Sequence, residues 1–378
     1  MNKRFLGVVL LCLSFSPLNA QLGSINSEYT EYGKTVGEHR RVIFASNTKT
    51  GKSVRYFFDG DNYKKSTTQL PGNLLDGESS EIGEIMTEYI EYGKTVGEHR
   101  RVIFAWNTKT GKSVRYFFDG ENYKKSTTQL PENLLDGEST EVGEIMVKYI
   151  EYGATVGEHR RVIFAWNTKT GKSVRYFYDG ENYKKSSTQL PNNLFDGEST
   201  EAGEIMMEYT EYGKTVGAHR RVIFAWNTKT GKSIRYFYDG ENYKKSTTQL
   251  PNNLLDGEST EVGEIMAEYT EYGATVGEHR RVIFAWNTKT GKSVRYFFDG
   301  DNYKKSAVQL PNNLLDGEST EAGEIMTEYT EYGKTVGEHR RVIFAWNTKT
   351  GKSVRYFYDG ENYKKSSTQL PHNLLYGE

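Results

Sequence analysis

Two apolar stretches joined by a short polar turn recur along the whole chain. In the second copy they are RRVIFAWN and KSVRYFFDG, and TKTG lies between them. β-branched and aromatic residues favour strands, while Asn, Thr and Gly favour a tight turn. The pattern predicts a β-hairpin in which Asn107 faces Lys112.

The two faces of this hairpin are both largely apolar. Pairing outward from the turn places Trp106 opposite Ser113 on one face and Ala105 opposite Val114 on the other, because side chains alternate along a strand. A sheet with one face in water would alternate apolar and polar residues instead. We therefore expect both sides of the hairpin to be covered.

Two further stretches complete each copy. YKKSTTQLP is polar, has two lysines and ends at proline, which is typical of an edge strand. EVGEIMAEYTEYG has apolar residues at helical spacing, but its glycine and tyrosines fit a helix less well. Helix and strand both remain open for this segment, and we favour a fourth strand.

The copies follow each other at a constant period. The motif EYG begins every sixty residues, at Glu31, Glu91, Glu151, Glu211, Glu271 and Glu331. After a lead at 21–28, the predicted repeats are 29–88, 89–148, 149–208, 209–268, 269–328 and a truncated 329–378. Their near-identity indicates tandem duplication, so an unchanged position is not by itself evidence of function.

A single unit of sixty residues is too small to cover both faces of its hairpin, since a domain of this size buries only about 60% of its unfolded surface. Neighbouring copies should then pack together and stabilise each other. We predict an all-β protein whose six repeats of three to four antiparallel strands form a six-bladed propeller-like ring. Six small β beads on linkers and an open β solenoid are the alternatives.

The first twenty residues have the layout of a secretory signal. Lys3 and Arg4 precede an apolar run, and Ala20 ends an acceptable cleavage site. The run is too short to span a bilayer, and we expect no transmembrane span after cleavage. Export to the periplasm, the cell surface or the medium follows from this prediction. The chain's cysteine, Cys12, would leave with the signal, so we expect no disulfide.

The charge of the mature chain is close to neutral. Cleavage would lower the basic residues from 49 to 47 and leave 50 acidic ones, a net charge of −3. Without a basic surplus, a nucleic-acid partner has no electrostatic basis.

No motif for catalysis or metal binding stands out. The chain lacks G-x-S-x-G, H-E-x-x-H and a Gly-rich phosphate loop. A histidine precedes an arginine pair in every repeat, and the adjacent positive charge opposes a metal there; these residues are His39, His99, His159, His219, His279 and His339. An enzyme would rarely need six copies of its core. We predict no metal, no cofactor and no enzymatic activity.

The aromatic residues are the candidates for binding. The predicted ligand-binding residues are Trp106, Trp166, Trp226, Trp286, Trp346, Arg115, Tyr178 and Tyr238. An exposed Trp near Arg115 could stack on a sugar or hold a partner's side chain. Ser46 replaces the Trp in the first repeat, which indicates either a capping repeat or a partly exposed position. The alternative, which we favour, is that Trp and Tyr fill the interface between repeats.

Three functions remain open. The first is an exported, multivalent binding module for a glycan or a surface protein, since equivalent weak sites act together. The second is a structural or surface-spacing role without a specific ligand. The third is a secreted enzyme or enzyme inhibitor.

Overall fold

The computed structural model describes most of the predicted repeats. The described residues are 23–31, 41–77, 82–91, 101–137, 141–151, 161–196, 202–211, 221–257, 261–271, 281–317, 322–331 and 341–375. Within these ranges the chain forms 24 strands in six four-stranded antiparallel sheets, and no helix. The described part of the chain thus also contains no helix with the length and hydropathy that a membrane crossing requires.

Each sheet, or blade, is built from four strands that are consecutive in the chain. The first strands are β1 (Ile25–Glu31), β5 (Ile85–Glu91), β9 (Ile145–Glu151), β13 (Ile205–Glu211), β17 (Ile265–Glu271) and β21 (Ile325–Glu331). The second strands are β2 (Arg41–Asn47), β6 (Arg101–Asn107), β10 (Arg161–Asn167), β14 (Arg221–Asn227), β18 (Arg281–Asn287) and β22 (Arg341–Asn347).

The other two strands of each blade lie further out. The third strands are β3 (Ser53–Phe58), β7 (Ser113–Phe118), β11 (Ser173–Tyr178), β15 (Ser233–Tyr238), β19 (Ser293–Phe298) and β23 (Ser353–Tyr358). The fourth strands are β4 (Tyr63–Lys65), β8 (Tyr123–Lys125), β12 (Tyr183–Lys185), β16 (Tyr243–Lys245), β20 (Tyr303–Lys305) and β24 (Tyr363–Lys365).

The six blades close into a ring. The first strands of successive blades are neighbours around a central axis, and β21 of blade 6 also contacts β1 of blade 1. At this closing boundary, the Ile25 amide donates to the Thr348 carbonyl at 2.7 Å. The prediction of a six-bladed propeller is therefore confirmed, and neither separate beads nor an open solenoid describes the chain.

The hairpin pairing follows the predicted register. In blade 2, Trp106 pairs with Ser113 and Ala105 with Val114, and the Asn107 amide donates to the Lys112 carbonyl at 3.0 Å. The segment that was open between helix and strand is a strand in every blade, represented by β17. The predicted edge strand is present but has only three residues in each blade.

The hydrophobic cores lie between blades rather than inside them. One core combines Phe104 and Trp106 of blade 2 with Ile163, Ala165 and Tyr176 of blade 3, all of them buried. Equivalent cores occupy the other boundaries, including the one between blades 6 and 1. The expected cover on both faces of the hairpin is thus supplied by the two neighbouring blades.

The first blade starts without the GEIM segment of the other repeats. Its first strand is nevertheless complete, because Ser24, Ile25 and Asn26 take the positions that Glu84, Ile85 and Met86 have in blade 2. The strand β5 also runs across the predicted repeat boundary at 88/89. Residues 1–22, which include the predicted signal, lie outside the described residues.

Candidate functional site: grooves between the blades

The five tryptophans lie in the interfaces between blades, which is the alternative that the sequence favoured over ligand binding. Trp106, Trp166, Trp226, Trp286 and Trp346 are only 1–2% exposed. Each indole Nε1 donates to an isoleucine carbonyl in the first strand of the following blade, over 2.9–3.1 Å. A ring that is covered on both faces and bonded at its edge cannot stack on a sugar while the interface stays closed.

The first blade fills the tryptophan position in another way. Ser46 is buried, and its hydroxyl lies 3.3 Å from that of Thr87 in blade 2. The side-chain amide of Asn26 donates to the same Thr87 hydroxyl at 2.9 Å. The serine thus belongs to a polar cluster inside the boundary, and neither a capping repeat nor an exposed tryptophan position explains it.

Arg115 is also buried, at 2% exposure. Its guanidinium bonds to both carboxylate oxygens of Glu151 in blade 3 at 2.6 and 2.7 Å, and its Nε donates to the Tyr149 hydroxyl at 2.8 Å. Burial opposes the charge, but Tyr149 and Glu151 outweigh it and raise the pKa of Arg115. The guanidinium therefore links two blades, while the residue also lines the groove described below.

The predicted tyrosines lie at the outer side of the hairpin. Tyr178 and Tyr238 are half-buried, and their hydroxyls donate to the carbonyls of Gly180 and Gly240. The guanidinium of an arginine from the second strand covers each ring, 3.3–3.4 Å from its centroid. This cation–π contact covers one face of each ring.

A groove with the same lining recurs at several blade boundaries. It occurs on blades 2, 3, 5 and 6 with volumes of 330–390 Å³. In blade 2 the third strand contributes Ser113 and Arg115, Lys112 directly precedes that strand, and the stretch after β8 contributes Thr128. Asp76 from the segment that joins blade 1 to blade 2 also lines the groove.

The grooves of blades 3, 5 and 6 have more basic than acidic residues in their lining. In blade 2, Lys125 at the groove edge pairs with Asp76 at 2.6 Å, and Arg115 is neutralised by Glu151. Lys112 is exposed and adds a positive charge to the lining of the blade 2 groove, which Glu132 offsets. In blades 3 and 5 an asparagine replaces this glutamate, so the surface there favours a ligand that carries negative charge.

Each blade also has an unbonded serine hydroxyl at the start of its third strand. The Oγ atoms are buried and have no hydrogen-bond partner among the described residues; they belong to Ser53, Ser113, Ser173, Ser233, Ser293 and Ser353. Four of these serines line the grooves described above. Buried hydroxyls without a hydrogen-bond partner are uncommon in proteins, so their recurrence at the same position is a distinctive feature of the groove lining.

One position at the rim of the groove varies between blades. The residue that follows the proline is Glu132, Asn192, Asn312 or His372. The lining below it is nearly constant. The grooves therefore share one base and differ in the charge and hydrogen-bonding groups of the rim.

A second polar feature lies on the axis of the ring. At one level of the central channel, five blades contribute a glutamate and blade 3 contributes a lysine: Glu28, Glu88, Lys148, Glu208, Glu268 and Glu328. Lys148 lies 3.5 Å from Glu88 and 3.0 Å from Glu208, and the three side chains are 14–26% exposed. The lysine thus joins the first strands of three successive blades.

The glutamates on the far side of the channel from Lys148 are harder to ionise. Burial, and then the carboxylates of Glu208 and Glu328, raise the pKa of Glu268 well above its usual range. Burial and the Glu28 carboxylate do the same for Glu328. Burial alone would lower the pKa of Lys148, but the surrounding glutamates raise it. This ring of charges was missed in the sequence, although alternating polar positions in the first strand signal it.

The remaining sequence candidates are the repeated histidines. The repeated histidines His39, His99, His159, His219, His279 and His339 lie outside the described residues. In the part of the chain that is described, no three His, Cys, Asp or Glu side chains are grouped in a way that could hold a metal ion.

No family model matches the chain, and no curated protein matches it either. Three solved structures are similar to it. A protein from Bacteroides uniformis, described as a proposed 6-phosphogluconolactonase, is 11% identical over 93% of this chain and 97% of its own, with a TM-score of 0.41. The exo-inulinase from Aspergillus awamori is 10% identical over 94% and 92%, with a TM-score of 0.38. The NanB sialidase from Streptococcus pneumoniae is 10% identical over 87% of this chain and 61% of its own, with a TM-score of 0.27.

These likenesses concern the fold, and they assign no activity to this chain. They do correct the prediction that the chain is not an enzyme, because proteins named as a sialidase and an exo-inulinase are among the structural neighbours.

Proposed function

We propose that the protein is an exported, multivalent glycan-binding module, and that its ligand is an acidic polysaccharide held in the grooves between the blades. The observation that carries the proposal is the recurrence of one groove lining around a closed ring. Hydroxyl groups from serine and threonine match sugar hydroxyls, and the lysines match carboxylate or sulfate groups.

Repetition makes weak grooves effective. A polymer with a repeating acidic unit can occupy several grooves of one ring, and each further contact is intramolecular. Avidity can then exceed the affinity of one groove by about 10²–10⁴-fold. The closed ring does not favour the alternative role as a spacer, because a ring does not lengthen along one axis as blades are added.

The test removes the groove lysines together. In the groove variant, the groove residues Lys112, Lys172, Lys292 and Lys352 become alanine, together with their equivalents in blades 1 and 4, Lys52 and Lys232. The control variant replaces Lys64, Lys124, Lys184, Lys244, Lys304 and Lys364, which pair with aspartates at the outer turns and lie outside the grooves described above. Both variants lose the same charge.

Binding is measured on immobilised acidic and neutral polysaccharides. We expect the wild type to prefer the acidic polymers, the groove variant to bind them at least about tenfold more weakly, and the control to keep most of the affinity. Equal losses in both variants would mean that only the net charge matters, and the proposal would fail. The same samples are assayed for cleavage of the polymer, which tests the enzyme alternative.

A further inference from the structure

One blade boundary lacks a hydrogen bond that the other five share. At those five, the hydroxyl of a third-strand tyrosine donates to an asparagine carbonyl of the preceding blade over 3.2–3.4 Å; the donors are Tyr56, Tyr116, Tyr176, Tyr296 and Tyr356. The equivalent residue between blades 3 and 4 is Tyr236. It is 5% exposed, and its buried hydroxyl has no hydrogen-bond partner among the described residues.

The same boundary has two enlarged side chains. Phe195 stands where the other blades have Leu75, Leu135, Leu255, Leu315 and Leu375. Ile234 stands where the other third strands have Val54, Val114, Val174, Val294 and Val354. Phe195 and Ile234 are buried in one core together with Tyr236. These two larger side chains distinguish the boundary at which Tyr236 and the Asn193 carbonyl do not form the bond found elsewhere.

A groove of about 530 Å³ lies at this place, and Tyr236 is part of its lining. The volume is within the range of small-molecule sites. Four side-chain amides surround it, from Gln189, Asn192, Asn193 and Asn242. This lining contains neither lysine nor arginine, in contrast to the grooves described above.

The lining fits an uncharged sugar. Amides both donate to and accept from hydroxyl groups, which suits a ring with several hydroxyls. Leu190, Pro191 and the ring of Tyr243 supply apolar surface for the C–H face of a pyranose. Burial and then the Asp196 carboxylate raise the pKa of Tyr236 to about 12, so its hydroxyl is a protonated donor at neutral pH.

We propose that the boundary between blades 3 and 4 is a binding site for one uncharged pyranose residue, whose hydroxyl accepts the hydrogen bond that Tyr236 makes to no protein group. This site shares Leu190, Pro191 and Asn192 with the blade 3 groove but contains none of its lysines. Among the described boundaries, it is the one at which the hydroxyl of the third-strand tyrosine is unbonded, and its lining selects a neutral ligand.

The experiment uses the full chain and three probes, the methyl α-pyranosides of glucose, galactose and mannose. Each is titrated by saturation-transfer NMR and by calorimetry. We expect at least one probe to bind with a stoichiometry near one. Tyr236→Phe should weaken that probe at least fivefold and leave the melting temperature unchanged or raised, since it removes an unbonded hydroxyl.

The matched control converts the boundary to the sequence of the others. Phe195→Leu with Ile234→Val should restore the Tyr236–Asn193 bond and abolish binding of the probe. The reciprocal pair, Leu135→Phe with Val174→Ile, should add a second site. The groove-lysine variant should bind the probe as the wild type does, which separates this site from the proposed function.

The proposal is overturned if the wild type binds none of the three probes. It is equally overturned if Tyr236→Phe or the Phe195→Leu and Ile234→Val pair binds as tightly as the wild type. A large loss of stability in Tyr236→Phe would also overturn it, because the hydroxyl would then have a structural partner.

Discussion

At the scale of single residues, a buried arginine of the third strand links each described blade to the next one. Arg115 forms a bidentate pair with Glu151, and Tyr149 bonds to both of them. The side chains of the ion pair are 1% and 6% exposed. In such an environment, the loss of one partner leaves the other charge buried without compensation.

Arg115→Met should therefore be strongly destabilising. We expect the free energy of unfolding to fall by about 3–5 kcal/mol, as measured by chemical denaturation. Arg115→Met combined with Glu151→Met should cost much less than the sum of the two single changes, because no charge remains buried. The exposed pair Lys125–Asp76 is the control, and Lys125→Met should cost less than about 1 kcal/mol. Additive effects of Arg115→Met and Glu151→Met would contradict this account.

The sequence left two roles open for these side chains, packing between repeats and ligand binding. Alternation along the strand shows that Trp106 and Phe104 share a face, and this is confirmed. In a propeller, however, both faces of a blade are covered, so alternation does not tell which residues reach water. The partner of Arg115 lies 36 residues further along the chain, in the next repeat, where no local pattern points to it.

Among the elements, the hairpin is the one that local sequence determines. The turn residues fix the pairing, because a turn of given length allows one register. Gly111, with φ of 68°, supplies the left-handed conformation in that turn. Added Cβ atoms there would approach Asn133 and Ile145 within 3.1 Å, so the turn also packs against the connection to the next blade.

The first strand is the element that sequence reasoning described least well. Its strand conformation was predicted, but its place on the axis was not, because the position of a strand within a blade depends on how the blades pack. As a result, the alternation that brings Glu28, Glu268 and Glu328 into one channel had no visible meaning in the sequence. The channel determines how the stability of the ring depends on pH.

The channel glutamates should make the ring less stable as the pH rises. An unfolded glutamate has a pKa of about 4.3, whereas burial raises the pKa of Glu268 and Glu328 in the folded ring. In the window above 4.3 the folded state therefore binds more protons than the unfolded state. Their contribution to stability is complete below this window and is lost as the pH rises through the folded values.

We expect Glu268→Gln to remove part of this dependence. Its melting temperature should match the wild type near pH 4 and exceed it increasingly towards pH 8. Lys148→Gln should do the opposite and make the loss of stability with rising pH steeper. The reason is that Lys148 lowers the pKa of Glu28, Glu268 and Glu328. Melting profiles of the three proteins that run parallel between pH 4 and pH 8 would refute the role of the channel.

At the scale of the whole molecule, the boundaries between blades are not equivalent. A connecting segment of the chain spans five of them, while the described residues of blades 6 and 1 meet through non-covalent contacts. The contacts themselves are similar. Tyr29 stacks on Phe344 with centroids 4.6 Å apart, and Trp346 donates to the Ile25 carbonyl at 3.1 Å. The closing boundary thus depends on packing and hydrogen bonds, without a connecting segment between the two blades.

The same tryptophan change should therefore act differently at two boundaries. Trp346→Ala and Trp226→Ala remove the same buried ring, a loss of about 3–5 kcal/mol in each case. Between blades 4 and 5 the connecting segment keeps the separated surfaces close, so their effective concentration stays high. At the closing boundary the surfaces can separate freely, and Trp346→Ala should open the ring before it unfolds.

Hydrogen exchange gives the measurement, because matched amides report on both boundaries. The Ile25 amide donates to the Thr348 carbonyl, and the Ile265 amide donates to the Thr228 carbonyl, both at 2.7 Å. In Trp346→Ala, Ile25 should exchange well before the amides of the blade cores, through opening of the ring rather than global unfolding. In Trp226→Ala, Ile265 should exchange only with the global transition. Small-angle scattering should show a radius of gyration above that of the wild type for Trp346→Ala and not for Trp226→Ala. Equal radii and equal exchange in the two variants would mean that the connecting segments do not help to keep neighbouring blades together.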